Sequence, residues 1–288
     1  MNLSTGDLTD LAGIAIRAAK DAGNMIATTR PTTVDHKAGA PSLASQVVTE
    51  IDRAAEDIIV AALTPTFDRY DLGLLTEETP DDGGRRTKDF FWCIDPIDGT
   101  LAFIEGTPGY AVSIALVARD GSPRIGVVYD PVEAKLFHAV AGAGLFCDEE
   151  RLSVDLRAGG ETLAIYANRG FLDSAAYADT VESLEAVART AGFSSMEIRA
   201  GGGAVMNACG ALLNSPACYV MFPGPTGASL WDVAATACLF QEAGAVVTRF
   251  NGDRLNLNHA ESANLGTGGV LFATDARLAE HIRSIAAE

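Results

Sequence analysis

The chain has 288 residues, 48% of them apolar and 20% charged, a size and composition able to bury an ordinary hydrophobic core. Its formal charge of −17, from 38 acidic against 21 basic residues, disfavours a nucleic-acid polymer or an anionic membrane as partner. No apolar run is long enough to cross a bilayer and no basic-then-apolar leader opens the sequence, so a cytoplasmic protein is the default expectation.

From Asp7 to Thr28 the residues Leu8, Leu11, Ile14, Ala15, Ala18, Ala22, Met25 and Ile26 recur at three- and four-residue spacing, which predicts an amphipathic helix stopped by Pro31. The stretch Ala38 to Ser45 reads as a loop. A second helix begins near Asp52, with Ala54, Ala55, Ile58, Ile59 and Ala62 on one side, and Thr64-Pro65 is expected to end it. Two helices thus precede any strong strand. Strands follow at Gly73 to Thr76, Phe90 to Ile94, Ala111 to Val117, Ile125 to Tyr129 and Lys135 to Val140, with turn signals at Asp120-Gly121 and Asp130-Pro131. Helices on an antiparallel sheet make this an α+β half.

After the Gly-rich Ala141 to Gly144 and a charged patch from Asp148 to Arg151, strands and helices alternate. A strand at Leu163 to Ala167 leads to helices at Tyr177 to Thr190 and Ala204 to Leu213, then a strand at Cys218 to Met221. A helix from Trp231 to Ala243, strands at Val246 to Phe250 and Gly269 to Ala273, and a terminal helix complete an α/β half. The division is placed near residue 155, giving an N-terminal half 1–155 and a C-terminal half 156–288.

Cys93, Cys147, Cys209, Cys218 and Cys238 are odd in number and widely spaced, and read as small core residues. The four histidines, His36, His138, His259 and His281, have no zinc-site spacing. Oxygen ligands are what the chain offers, and an acidic protein that binds an anionic phosphate must import positive charge, most simply as a divalent cation.

The densest chemical signal is Trp92-Cys93-Ile94-Asp95-Pro96-Ile97-Asp98-Gly99-Thr100, an apolar strand ending in two carboxylates separated by a proline. Where the alternation stops, Asp95 and Asp98 can turn toward one point, and close carboxylates repel unless a cation joins them. Gly99 and Thr100 would open a short helix whose free N–H groups can cradle a phosphate. An ordinary Asp-rich turn with an Asp cap is the alternative, and the residues alone leave both open.

Asp95 to Thr100 resembles the DPxDGT signature of the inositol monophosphatase superfamily, which also includes 3′(2′),5′-bisphosphate nucleotidases and fructose-1,6-bisphosphatases. Leu75-Thr76-Glu77-Glu78 resembles the family's GEE segment, Leu230-Trp231-Asp232-Val233-Ala234-Ala235 its WDxAA segment, and Val48-Thr49-Glu50-Ile51-Asp52 its VTxxD segment. The four motifs stand in the family's order and span positions 48 to 235.

The resemblance implies a layered α-β-α-β-α sandwich and a Mg²⁺-dependent phosphatase. One metal would be held by Glu77, Asp95 and the Ile97 carbonyl, and a second shared by Asp95, Asp98 and Asp232, with two or three ions in all. Such oxygen ligands suit hard Mg²⁺, and paired ions ~4 Å apart would stabilise the attacking and leaving oxygens of an in-line displacement. Asp232 has a competing role as a helix cap, and Glu78 reads as a surface acid. The attacking water would be oriented by Thr100, with Glu77 and Asp95 as its catalytic partners through the metal.

An acidic residue that relatives carry three positions before the VTxxD threonine is replaced here by Gln46, which can orient water but cannot take its proton. Asp52, nearest in the motif, reads as a cap and structural partner. Gly201-Gly202-Gly203-Ala204 resembles a stretch where backbone approaches substrate, which makes Gly99, Thr100, Gly203, Ala204 and Asp232 the substrate-side candidates. A plain flexible turn is the alternative for the glycines. Lys37 resembles a family lysine near the site.

The implied substrate is a small phosphate monoester of the inositol monophosphate kind, and a homodimer is implied as well. Two rivals remain. Phe222 to Gly227 partly resembles a bisphosphate nucleotidase segment, with Arg169 and Arg199 as candidates for a second phosphate; Gln46 motivates a non-catalytic sugar-phosphate binding protein.

Overall fold

The computed structural model describes residues 2–30, 34–36, 47–155, 160–225, 227–259 and 261–285, with backbone only for 34–36 and 47–49. Lys37, Gln46 and Thr226, and the expected loop from Ala38 to Ser45, lie outside the described residues.

Helix α1 (Thr5–Thr28) starts at a capping box in which the Ser4 hydroxyl accepts the Asp7 N–H and the Asp7 carboxylate accepts the Ser4 N–H. A short antiparallel pair, β1 (Val34–His36) and β2 (Val47–Thr49), follows it, so two strands intervene where the sequence suggested only helices and loop. Helix α2 (Glu50–Tyr70) runs through Pro65 instead of ending there. Pro65 withholds one helical N–H, yet Leu63, Thr66 and Tyr70 beyond and before it are buried, and the Thr66 hydroxyl accepts the indole N–H of Trp92 at 3.0 Å. Tertiary packing outweighs the local break.

The seven-stranded sheet contains β3 (Gly73–Thr76), then, after a short α3 (Gly84–Thr87), β4 (Phe90–Asp98). Past helix α4 (Thr100–Glu105) come β5 (Ala111–Ala118), β6 (Pro123–Asp130), β7 (Lys135–Val140), β8 (Gly144–Cys147) and β9 (Glu150–Arg151). The strands lie in sequence order, with β3 parallel to β4 and every later pair antiparallel. The segments after residue 140 therefore supply two more short strands, of which β9 forms the edge of the sheet.

The second sheet is built from β10 (Gly160–Ala167), β11 (Phe193–Arg199), β12 (Ala217–Met221), β13 (Val246–Arg249) and β14 (Val270–Ala273), in the order β11-β10-β12-β14-β13. Its first three strands are parallel and the other pairings antiparallel. Its helices are α5 (Arg169–Leu172), α6 (Tyr177–Thr190), α7 (Ala204–Leu213), α8 (Ala234–Glu242) and α9 (Ala276–Ile285). Strand β11 is missed by sequence reasoning because an edge strand with exposed Ser194, Ser195, Glu197 and Arg199 shows little apolar signal. The helix expected from Trp231 begins three residues later, at Ala234, after a turn.

Period-two alternation sorts each strand between two cores. On one face of the first sheet, Trp92, Ile94, Val112, Ile114, Leu116 and Val127 pack under α1 and α2. On the other, Phe91, Cys93, Ala115, Val117 and Phe137 meet α7 and α8, which also cover Tyr166, Tyr219 and Phe272 of the second sheet. The far face of that sheet, with Leu163, Ile165, Cys218, Val220 and Leu271, lies under α6 and α9. The result is the expected α-β-α-β-α stack. Cys93, Cys209, Cys218 and Cys238 are buried free thiols, as their apolar settings suggested. Among the described residues no helix is long and apolar enough to cross a membrane.

Candidate metal centre

Strand β4 delivers two carboxylates to one side by breaking register. Asp95 pairs with Ser113 and Asp98 with Ala111, so three steps on β4 match two on β5. In a regular strand, residues an odd number apart point to opposite faces; the extra residue restores Asp98 to the side of Asp95. Pro96 suits the bulge because it has no N–H to leave unpaired. The Ile97 N–H donates to Asp95 Oδ1 at 3.1 Å, and Gly99, at φ 86°, turns the chain into α4. Asp95, Ile97, Asp98 and Thr100 are all buried.

Asp98 is held from the other half. The N–H groups of Ala204 and Val205 donate to its Oδ1 and Oδ2 at 3.0 and 2.9 Å, so Asp98 caps α7 in place of the side chain that Gly203, at the N-cap, lacks. The Gly203 N–H donates to the Gly109 carbonyl at 2.7 Å. Asp232 sits in the turn before α8, half-buried, its Oδ2 accepting the Ser229 N–H at 2.8 Å; it reaches back into its own turn rather than capping the helix, whose N-cap is Val233.

Ligand oxygens of Asp95, Asp98 and Asp232 all lie within 4.8 Å of one another. Burial, then the charges of Glu77, Asp98, Asp232 and Asp52, push the Asp95 carboxyl far above its ordinary range. Asp98 is pushed up to about 7, by burial first, against the opposing N–H bonds from α7. Asp232 is likewise raised to about 7 by burial and then by Asp98. Three carboxylates in this volume ionise together at neutral pH only if positive charge is added. An all-oxygen donor set, oriented by backbone N–H groups, fits a hard divalent cation such as Mg²⁺.

Glu77, just past β3, stands outside this tight trio, half-buried but close enough to raise both Asp95 and Asp98. The Ile97 carbonyl accepts the Thr100 hydroxyl at 3.1 Å, and the same hydroxyl stands 3.4 Å from Asp52 Oδ1. Asp52 is buried in the first turn of α2, not at its cap, and faces the site.

The glycine stretch is used for close packing of backbone against backbone. A Cβ on Gly203 would come within 2.3 Å of Asp98 Oδ2 and 2.7 Å of Gly99 Cα, and one on Gly109 within 2.7 Å of Gly202 Cα. Three backbone segments meet here without side chains, and the N–H groups of Gly203 and Ala204 are engaged by protein acceptors. Both residues touch Asp98 directly. We expect Gly203→Ala to displace that carboxylate and weaken Mg²⁺ binding at least tenfold, measured by titration calorimetry; unchanged affinity would remove Asp98 from the centre.

Sequence reasoning missed Glu56. One turn beyond Asp52 on the buried stripe of α2, it accepts the Thr76 and Thr79 hydroxyls and, at 3.0 Å, the Glu78 N–H. It thereby anchors the chain on both sides of Glu77. The available signal was an acid at an apolar stripe position beside Ala55 and Ile59. Glu56→Ala strips three bonds from a charged acceptor, so a loss of about 3 kcal/mol and a melting point lower by several degrees are expected in calorimetry. A cavity of about 420 Å³ opens along this loop, lined by Arg53, Leu75 to Asp81, Trp231 and Ala263.

A sequence model described as the inositol monophosphatase family matches residues 7–287. Nus factor SuhB of Pseudomonas aeruginosa is 34% identical over 272 residues, covering 92% of this chain and 95% of its own; that of Pasteurella multocida is 30% identical over 275 residues, covering 96% and 95%. The solved structure of a Thermotoga maritima IMPase superimposes with a TM-score of 0.73 at 26% identity, covering 96% of this chain and 98% of its own. With nearly its whole length matched and its layers superimposed, the chain belongs to the inositol monophosphatase family.

Proposed function

We propose that the protein is a Mg²⁺-dependent phosphoric monoester hydrolase acting on a small monoester of the inositol monophosphate kind. The observation that carries this reading is the convergence of Asp95, Asp98 and Asp232 within 4.8 Å beside the first turn of α4. Asp95, Asp98 and Asp232, with Glu77 and the Ile97 carbonyl, would hold two or three ions. Bound Mg²⁺ supplies charge to the phosphoryl oxygens and acidifies water.

The chain's own groups do the rest. Gly99 and Thr100 bring N–H groups without helical partners to the phosphate. Thr100 Oγ1, when it donates to Asp52 Oδ1, turns its lone pairs toward an incoming water, and a proton from that water can pass through Oγ1 to Asp52. Asp52 thus offers the basic group that Gln46 cannot. Asp232, the least buried of the trio, would face the leaving hydroxyl.

A bisphosphate nucleotidase is less well supported. Arg169 pairs with Glu105 at 2.6 Å, and Arg199 pairs with Glu197 while donating to the Tyr166 hydroxyl, so both candidate arginines have protein partners. Relatives called Nus factor bear a name that is not an enzyme's, which keeps a phosphate-binding protein without turnover as the second reading. Purified protein with Mg²⁺ and a panel of inositol phosphates, sugar phosphates and adenosine 3′,5′-bisphosphate decides among these by phosphate release. Release from inositol or sugar monophosphates is expected; tight binding with no release from any would establish the second reading.

A further inference from the structure

Arg85, in α3, is only 1% exposed and carries a charge that the sequence reading left without a role. Its Nε donates to Asp81 Oδ2 at 2.8 Å, and its Nη1 donates to Asn258 Oδ1 at 2.8 Å and to the His259 carbonyl at 2.7 Å. Asn258 returns the bond, its Nδ2 donating to the carbonyls of Arg85 and Arg119 at 3.0 Å. A planar guanidinium can serve acceptors on two separate segments at once, which a point-charge ammonium does poorly.

Each joined segment leads to the candidate centre. Asp81 ends the loop that starts at Glu77, and Glu56 anchors the near end of that loop. On the other side, residues 263–265 pair with residues 228–230: the Leu230 N–H donates to the Ala263 carbonyl, and the Leu265 N–H to the Ala228 carbonyl, both at 2.8 Å. Asp232 follows two residues later. The cavity beside Glu77 lies between these walls, with Thr76 to Asp81 on one side and Trp231 and Ala263 on the other.

We propose that Arg85 is a positioning residue that ties the Glu77 loop to Asn258 and His259, upstream of Ala263, and so fixes the separation at which Glu77 and Asp232 face a bound cation. The proposal rests on the metal-centre reading above, but it does not require turnover. Without the tie the two walls lose a direct link, and affinity for the cation falls because binding must then also order the loops.

The test titrates Mg²⁺ into wild type, Arg85→Met, Arg85→Lys and Asn258→Ala, following Trp231 emission; Trp92, the other tryptophan, is fully buried away from the cavity. Arg85→Met and Asn258→Ala should each raise the half-saturating Mg²⁺ concentration about tenfold, with Arg85→Lys in between. Their double variant should be no weaker than Arg85→Met alone, because both cut one link. Where turnover is measurable, kcat should fall with Mg²⁺ affinity and KM should stay. Unchanged Mg²⁺ affinity in folded variants, or losses that multiply in the double variant, would overturn the proposal. If Arg85→Met does not fold, Asn258→Ala, which strands no buried charge, decides alone. A wild type that binds Mg²⁺ but releases no phosphate defeats the phosphatase reading only; a wild type that binds no Mg²⁺ defeats both.

Discussion

Asp95→Asn should lower kcat by about three orders of magnitude, roughly 4 kcal/mol of transition-state stabilisation, without destabilising the metal-free protein. The two halves of this expectation come from the same environment. Asp95 is buried among Glu77, Asp98, Asp232 and Asp52, all of which oppose its charge. Asparagine keeps the acceptor for the Ile97 N–H and resembles the protonated acid that the metal-free site favours. In EDTA at pH 8 the variant should therefore melt at or above wild type, and added Mg²⁺ should raise its melting point little. Undiminished phosphate release would take Asp95 out of the chemistry; a metal-free melting point several degrees below wild type would make its role structural.

The second large effect is a pH dependence opposite to that of a paired surface carboxylate. Asp98 and Asp232 have folded values of about 7 against an ordinary 3.8. The folded metal-free chain thus binds more protons than the unfolded chain between these values. Stability from this source is complete below about 3.8 and is lost as pH rises through about 7. Mg²⁺ is expected to act in the contrary sense, since it would bind the ionised carboxylates and compete with their protons. At a hundredfold excess over its dissociation constant it contributes about 2.7 kcal/mol, or ~5–10 °C in melting temperature. Melting curves in Mg²⁺ and in EDTA should separate by this amount at pH 8 and by much less at pH 5.5. An equal or greater separation at the lower pH would show that these carboxylates are not the ones Mg²⁺ engages.

What was legible in the sequence was local. The end of β4 announced its carboxylates because an apolar strand stopping at Asp-Pro-Ile-Asp-Gly-Thr is compact chemistry in one segment, and four ordered motifs gave the family. What escaped depends on chain segments far apart in sequence. Glu56 reads as one more helical acid until Thr76, Glu78 and Thr79 are seen around it. Arg85 reads as a surface charge in a polar loop until residues 258 and 259 close over it. The glycines at 201–203 signal freedom of backbone, but only the fold shows that the freedom is used for contact with Gly99 and Gly109. Pro65 misled in the other direction, since a local rule was overridden by the packing of Thr66 and Trp92.

The middle layer has a bearing on how the molecule can be cut. Helices α7 and α8 present apolar surface to both sheets, so Phe91 and Phe137 of the first and Tyr219 and Phe272 of the second share one interior. An aromatic side chain buries roughly 150–250 Å², and a break in the chain between the sheets would bare Phe91 and Phe137 on the first fragment and the facing sides of α7 and α8 on the second. Each fragment would keep its outer core while the shared one fell open, and Asp98 would lose the helix it caps. The two pieces would be obligate complements, regaining the carboxylate trio only by reassembling with each other.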